Sequence, residues 1–168
     1  MDNRLTLKEV LEGAIQKEIM SRFLYIGLRQ RVKKQASRDL FQTLAEQEEV
    51  HQRILEDLFH GQFKEGALSF GLIVDRKIAE YLDQQEISPM MDISEVFLLA
   101  AHKEKLSHDL YACLSEIYPN GQIKHLLADL AVQELEHKNS LESLYSEVTS
   151  PSKKDENISL PKSENNLI

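Results

Sequence analysis

Apolar residues return every three or four places along four long stretches of the chain, the period of a helix that turns one face inward. The first stretch runs from about Thr6 to Lys33 and carries Leu7, Leu11, Ala14, Tyr25, Leu28 and Val32 on one stripe. The second, about Ser37 to His60, carries Phe41, Leu44, Leu55 and Leu58. A third, about Asp92 to Tyr118, uses Ile93, Phe97, Ala100, Tyr111 and Leu114. The fourth, about Gln122 to Val148, uses Ile123, Leu127, Leu130, Leu141, Leu144 and Val148. A polar turn near Lys34 to Ala36 separates the first two, and Pro119-Asn120-Gly121 separates the last two. Short links make antiparallel neighbours, so the pattern predicts two helical hairpins. Gly61 to Met91 is long enough for a crossover along a bundle, with a short helix expected near Asp75 to Leu82. The predicted fold class is therefore all-α, a four-helix bundle spanning residues 1–148. From Thr149 to Ile168 the residues become mostly Ser, Lys, Asn, Glu and Pro. Such a tail buries too little apolar area to offset its ordering entropy, and disorder is expected there.

The two hairpins are copies of one unit. Shifted by 86 residues, positions 9 to 58 match their counterparts at eighteen of fifty places, several times what composition alone would give. Each copy holds a Glu on its first helix and Glu-x-x-His on its second: Glu18, Glu48 and His51, then Glu104, Glu134 and His137. The spacing from Glu18 to Glu48 equals that from Glu104 to Glu134. Each Glu stands roughly 13 residues from its turn, about 20 Å along the helix, so paired carboxylates reach the same height. Each His lies one turn beyond its Glu, on the same face.

These residues occupy core steps of the stripe. The first helix steps through 7, 11, 14, 18, 21, 25 and 28, and the second through 41, 44, 48, 51, 55 and 58; the third and fourth repeat the arrangement. A buried ionised carboxylate costs many kcal/mol unless it protonates or meets a cation. Two divalent cations would cancel four such charges and leave two neutral imidazoles as further ligands. Oxygen-rich sites with one imidazole per ion suit iron or manganese, and zinc fits the same ligands. A single Glu-x-x-His in a glutamate-rich helix is usually a solvated face; its recurrence at one spacing on the inward stripe favours metal binding.

Composition narrows the partners. The 168 residues are 42% hydrophobic and 29% charged, the balance of a soluble domain, with a net charge of -8. That charge argues against nucleic acid or an anionic membrane as the main partner. The single cysteine, Cys113, offers no thiolate cluster and reads as a small hydrophobe. The charged N-terminal residues lack an apolar signal core, and no stretch is long enough to span a bilayer, so a cytoplasmic location is expected. His102, His108 and His125 lie off the inward stripe and are expected to face solvent or an interface, with His108 one turn from Glu104 and able to bond to it. Phosphate-cradling glycine loops and nucleophile motifs are lacking.

The six-residue pattern resembles the rubrerythrin-like branch of the ferritin-like superfamily, over roughly residues 6 to 148. The resemblance implies a ferritin-like bundle holding two iron ions per chain, with Glu48 and Glu134 bridging them. Glu18 and His51 would complete one site, Glu104 and His137 the other. Tyr25 and Tyr111, seven residues after Glu18 and Glu104, would hydrogen-bond ligand carboxylates, or else be plain aromatic core. The implied activity is oxidoreduction of peroxide or dioxygen, with Glu48, Glu134, Tyr25 and Tyr111 as the catalytic group. Rubrerythrins often carry a four-cysteine rubredoxin domain; with only Cys113 here, a separate rubredoxin-like donor is expected. Two carboxylates common in that family are replaced by Ala101 and His137, which brings the ligand set closer to the symmetric one of bacterioferritins. Ferroxidase activity with iron storage or delivery is the alternative, and a structural metal, zinc for example, with a partner-recruiting tail is a third. A homodimer or larger homo-oligomer is expected.

Overall fold

The computed structural model describes residues 4–82 and 85–150. Five helices follow one another: α1 (Leu7–Arg31), α2 (Gln35–Phe59), a short α3 (Arg76–Tyr81), α4 (Ile93–Ile117) and α5 (Gln122–Thr149). Local chemistry sets several of these ends. Thr6 and Glu9 form a reciprocal capping box at the start of α1, and Asp92 and Glu95, one repeat later, form the same box at the start of α4. Helix α2 stops at Gly61, whose φ of 71° places it in the left-handed region. There the Gly61 N–H donates to the Leu58 carbonyl and the Gln62 N–H to that of Asp57, which satisfies two carbonyls of the last turn.

The hairpins α1–α2 and α4–α5 make the most extensive contacts, and α1 against α4 and α2 against α5 close the bundle. Two apolar clusters fill its ends. One joins the start of α1, the end of α2, the end of α4 and the start of α5, through Leu7, Leu11, Leu55, Leu114 and Leu127 among others. The other joins the opposite ends through Tyr25, Phe41, Phe97 and Leu141. Each such large side chain contributes roughly 1.5–3 kcal/mol when taken from water. Neighbouring helices in this arrangement run antiparallel, so the link from α2 to α4 must travel the length of the bundle.

That crossover is stitched to the first helix. The N–H groups of Leu7 and Lys8 donate to the carbonyls of Leu72 (2.7 Å) and Phe70 (3.0 Å), and Val74 N–H donates to Leu5 (3.0 Å). Two of the four N–H groups that a helix start leaves unpaired are satisfied this way. Val74 and, from α3, Ile78 then bury themselves in the first apolar cluster.

The structure refines several expected boundaries. The first turn keeps its expected length but lies two residues earlier, at Val32 to Lys34, because Gln35 and Ala36 already belong to α2. Val32 and Ile93 are half-buried rather than core, and Val148 is 44% exposed, since the last turn of α5 projects past the cluster that covers Leu144. Thr149 closes α5 instead of opening the tail. The disorder expected of that tail falls, from residue 151 onward, outside the described residues. Among the described residues, no helix is long and apolar enough to cross a membrane.

Candidate metal centre

Between the two apolar clusters lies a charged layer. Glu18 comes from α1, Glu48 and His51 from α2, Glu104 from α4, Glu134 and His137 from α5, and none is more than 2% exposed. The helical period places them there: along the inward stripes the layer is bracketed by the core residues Ala14 and Tyr25, Leu44 and Leu55, Ala100 and Tyr111, and Leu130 and Leu141. Their donor atoms form two groups, Glu18, Glu48, His51 and Glu134 in one and Glu48, Glu104, Glu134 and His137 in the other. Within each group the atoms lie within 4.8 Å of one another. An ion touching every donor at about 2.1 Å requires similar spacing. Glu48 and Glu134 belong to both groups, one oxygen available to each.

Each imidazole turns Nδ1 toward the carboxylates. His51 Nδ1 lies 2.9 Å from Glu134, 3.5 Å from Glu18 and 3.7 Å from Glu48. His137 Nδ1 lies 2.8 Å from Glu48, 3.4 Å from Glu134 and 3.9 Å from Glu104. The two rings stack, 5.4 Å apart between centroids and 16° from parallel. Even the shortest contacts lack the alignment of a hydrogen bond. Glu18 Oε2, Glu104 Oε2, both oxygens of Glu48 and of Glu134, and Nδ1 of both histidines are left unsatisfied. Buried polar atoms are rarely orphaned, and eight converging in one layer are a strong anomaly for protein alone. Six oxygens and two imidazole nitrogens fit two divalent cations.

Electrostatics tell the same story. Burial and the charge of Glu18 hold the Glu48 carboxyl above its ordinary range. Glu104 is pushed well above it by burial and by Glu134. For Glu134 burial works in the same direction, but contacts with Glu104, His137 and His51 outweigh it and hold the group ionised. Burial disfavours the His51 and His137 imidazolium ions, yet the adjoining carboxylates win; His51 is raised, and His137 is pushed up to about 9. Without metal ions, the counter-charge comes from protons and from the buried Lys17 ammonium, which draws Glu104 down.

The tyrosines bond ligand carboxylates, the first of the two roles expected of them. Tyr25 donates its hydroxyl to Glu104 and Tyr111 donates to Glu18, each across the bundle rather than along its own helix. Tyr111, fully buried beside Glu18 and Glu134, has its hydroxyl raised well above the usual range by burial and then by those charges. His108 does not bond Glu104: its Nδ1 sits 2.7 Å from the Ala131 carbonyl on α5, while Glu104 accepts from Tyr25 within the buried layer. His102 and His125 are exposed. Ala101 is buried, and Cys113 is half-buried against the apolar cluster. Two participants went unnoticed in the sequence. Gln133 Oε1 lies 3.1 Å from His51 Nε2, and Gln47 Oε1 lies 3.0 Å from His137 Nε2. Gln47 and Gln133 are repeat partners, each directly before its motif Glu, and that identity was the signal available.

Comparison with known families places this geometry. The rubrerythrin family model matches residues 9–145. A solved structure titled "Hypothetical Protein Pfu-1136390-001 From Pyrococcus furiosus" superposes with a TM-score of 0.65 at 26% sequence identity, covering 84% of this chain and 89% of that one. Curated proteins provide no match. The chain belongs to the rubrerythrin family, with its ferritin-like all-α bundle, and its buried carboxylate and histidine cluster fits a di-iron protein.

Proposed function

We propose that this rubrerythrin-family chain is a non-haem di-iron oxidoreductase that reduces peroxide or dioxygen with electrons from a separate donor. The observation that carries the reading is the set of eight buried, unsatisfied donor atoms converging from four helices. Bound iron supplies the one-electron redox chemistry; positioning and shielding fall to the protein. Glu48 and Glu134 present one oxygen to each side and would be shared by the two ions. Glu18 with His51 and Glu104 with His137 complete the two sides. Tyr111 and Tyr25 hold one oxygen of Glu18 and Glu104, respectively, and so aim the other oxygen inward. The near-total burial of the ligands keeps bulk water from the reacting atoms.

The near-symmetric ligand set, with Ala101 where many relatives carry a carboxylate, also favours a ferroxidase that stores or delivers iron; ferrous ion is then the substrate. A homodimer or larger assembly belongs to either reading, supported by Met20 and Phe23, which stand 58% and 64% exposed on α1. Mixing the reduced, iron-loaded protein with hydrogen peroxide tests the leading reading: a rapid change in the visible spectrum and turnover above that of free iron are expected. Turnover no faster than free iron would reject it. Iron uptake far beyond two per chain, in a large cage by size-exclusion chromatography, would select the storage reading.

A further inference from the structure

Gln47 and Gln133 occupy positions that do more than fill space. Each stands half-buried on the flank of its helix, one residue before a bridging Glu, and each reaches the opposite hairpin. Gln47 on α2 meets His137 on α5, and Gln133 on α5 meets His51 on α2. In both contacts the amide oxygen, an acceptor, faces the ring. An acceptor at that distance requires Nε2 to carry hydrogen. In a neutral imidazole the hydrogen on Nε2 leaves the lone pair on Nδ1, the atom turned toward the carboxylates.

We infer that Gln47 and Gln133 are positioning residues that lock the two imidazoles, each from the other hairpin, in the tautomer able to bind metal through Nδ1. This inference rests on the metal reading above. The choice of an amide has a physical consequence. A carboxylate at the same place would also accept from Nε2, but it would add negative charge to a centre whose four carboxylates already balance two divalent ions. Glutamine orients the ring without disturbing that balance. The crossed connection also means that neither hairpin alone sets its own histidine. Both halves must associate in register before either ligand is aimed.

Cobalt(II) titration of the full-length metal-free protein, followed by visible absorption, tests the inference. Wild type takes up two ions per chain. Gln47→Leu weakens one of them by about 10–100-fold, the usual effect of losing a partner behind a ligating histidine, and Gln133→Leu does the same for the other. Gln47→Glu, which restores an acceptor, binds both. The crossing supplies a test that general loosening of the core would not pass. Gln47→Leu has no further effect on cobalt affinity in a His137→Ala background but retains its full effect in a His51→Ala background. Nitrogen-15 NMR of zinc-loaded wild type needs no variant: Nε2 of both rings carries the hydrogen and Nδ1 the metal. Unchanged cobalt affinity and spectrum in both leucine variants, or zinc on Nε2, would overturn the inference while leaving metal binding intact. Failure of wild type to take up cobalt would instead remove the metal reading and this inference with it.

Discussion

Tyr25 bonds to Glu104, 79 residues away, and not to Glu18 on its own helix. Side chains on a helix lean toward its N-terminus. Glu18 therefore leans away from Tyr25, whereas on antiparallel α4 the same rule tips Glu104 toward it. Tyr25 leans back to meet it, and Tyr111 meets Glu18 for the same reason. One carboxylate of each hairpin, Glu18 or Glu104, is thus steadied by a hydroxyl from the other.

Removing either hydroxyl leaves a fully buried carboxylate oxygen without its donor. Tyr111→Phe and Tyr25→Phe should each lower the stability of the metal-free protein by about 1–3 kcal/mol, read by urea denaturation. Equal midpoints for wild type and both variants would contradict the crossed pairing.

The shared position of Glu48 and Glu134 makes their loss unlike that of the outer ligands. Elemental analysis of protein purified without added metal should find close to two ions per chain. Glu48→Ala or Glu134→Ala should lose both, because each serves both groups. Glu18→Ala should lose mainly the ion beside His51. Retention of one full ion in Glu48→Ala would show that this residue does not bridge.

Protonation opposes metal at this centre, so the benefit of metal should grow with pH. His137 holds its proton to about 9 in the folded chain, against 6.5 for an unperturbed imidazole. The stability it contributes is complete below about pH 6.5 and lost as the pH rises through about 9. Glu48 and Glu104, raised by burial, act in the same direction from pH 4.5 upward, whereas Glu134, held ionised, costs stability only as the solution turns acid. Metal-free protein should consequently lose stability from pH 6.5 to 9. An incoming cation must displace the Nδ1 protons, so its affinity rises over the same interval. Melting curves with and without manganese(II) should diverge steadily across this range. A constant gap would mean that the histidines are not ligands.

Helix ends can be tested apart from the centre. Gly61 has φ of 71°, and a Cβ there would meet nothing within 4 Å. Gly61→Ala should cost about 1–2 kcal/mol through backbone conformation alone. Metal content should stay at the wild-type value; a loss of metal would mean that this end of α2 helps hold the centre.

Much of this arrangement was legible in the amino-acid order. The helical period marks which residues face inward, the constant rise per residue sets their height, and the repeat shows the same three ligands, two Glu and one His, twice at one spacing. Glu18, Glu48, His51, Glu104, Glu134 and His137 could therefore be grouped from one chain read in one dimension. What tertiary structure alone decided is who meets whom between the hairpins. The crossed tyrosines, the two glutamines behind the histidines, His108 on the Ala131 carbonyl and the crossover pinned to the start of α1 all depend on which helices become neighbours and in which direction they run. Period and spacing describe a helix by itself. A contact between helices also needs the order of the bundle and the tilt of each side chain, which exist only once the chain has packed.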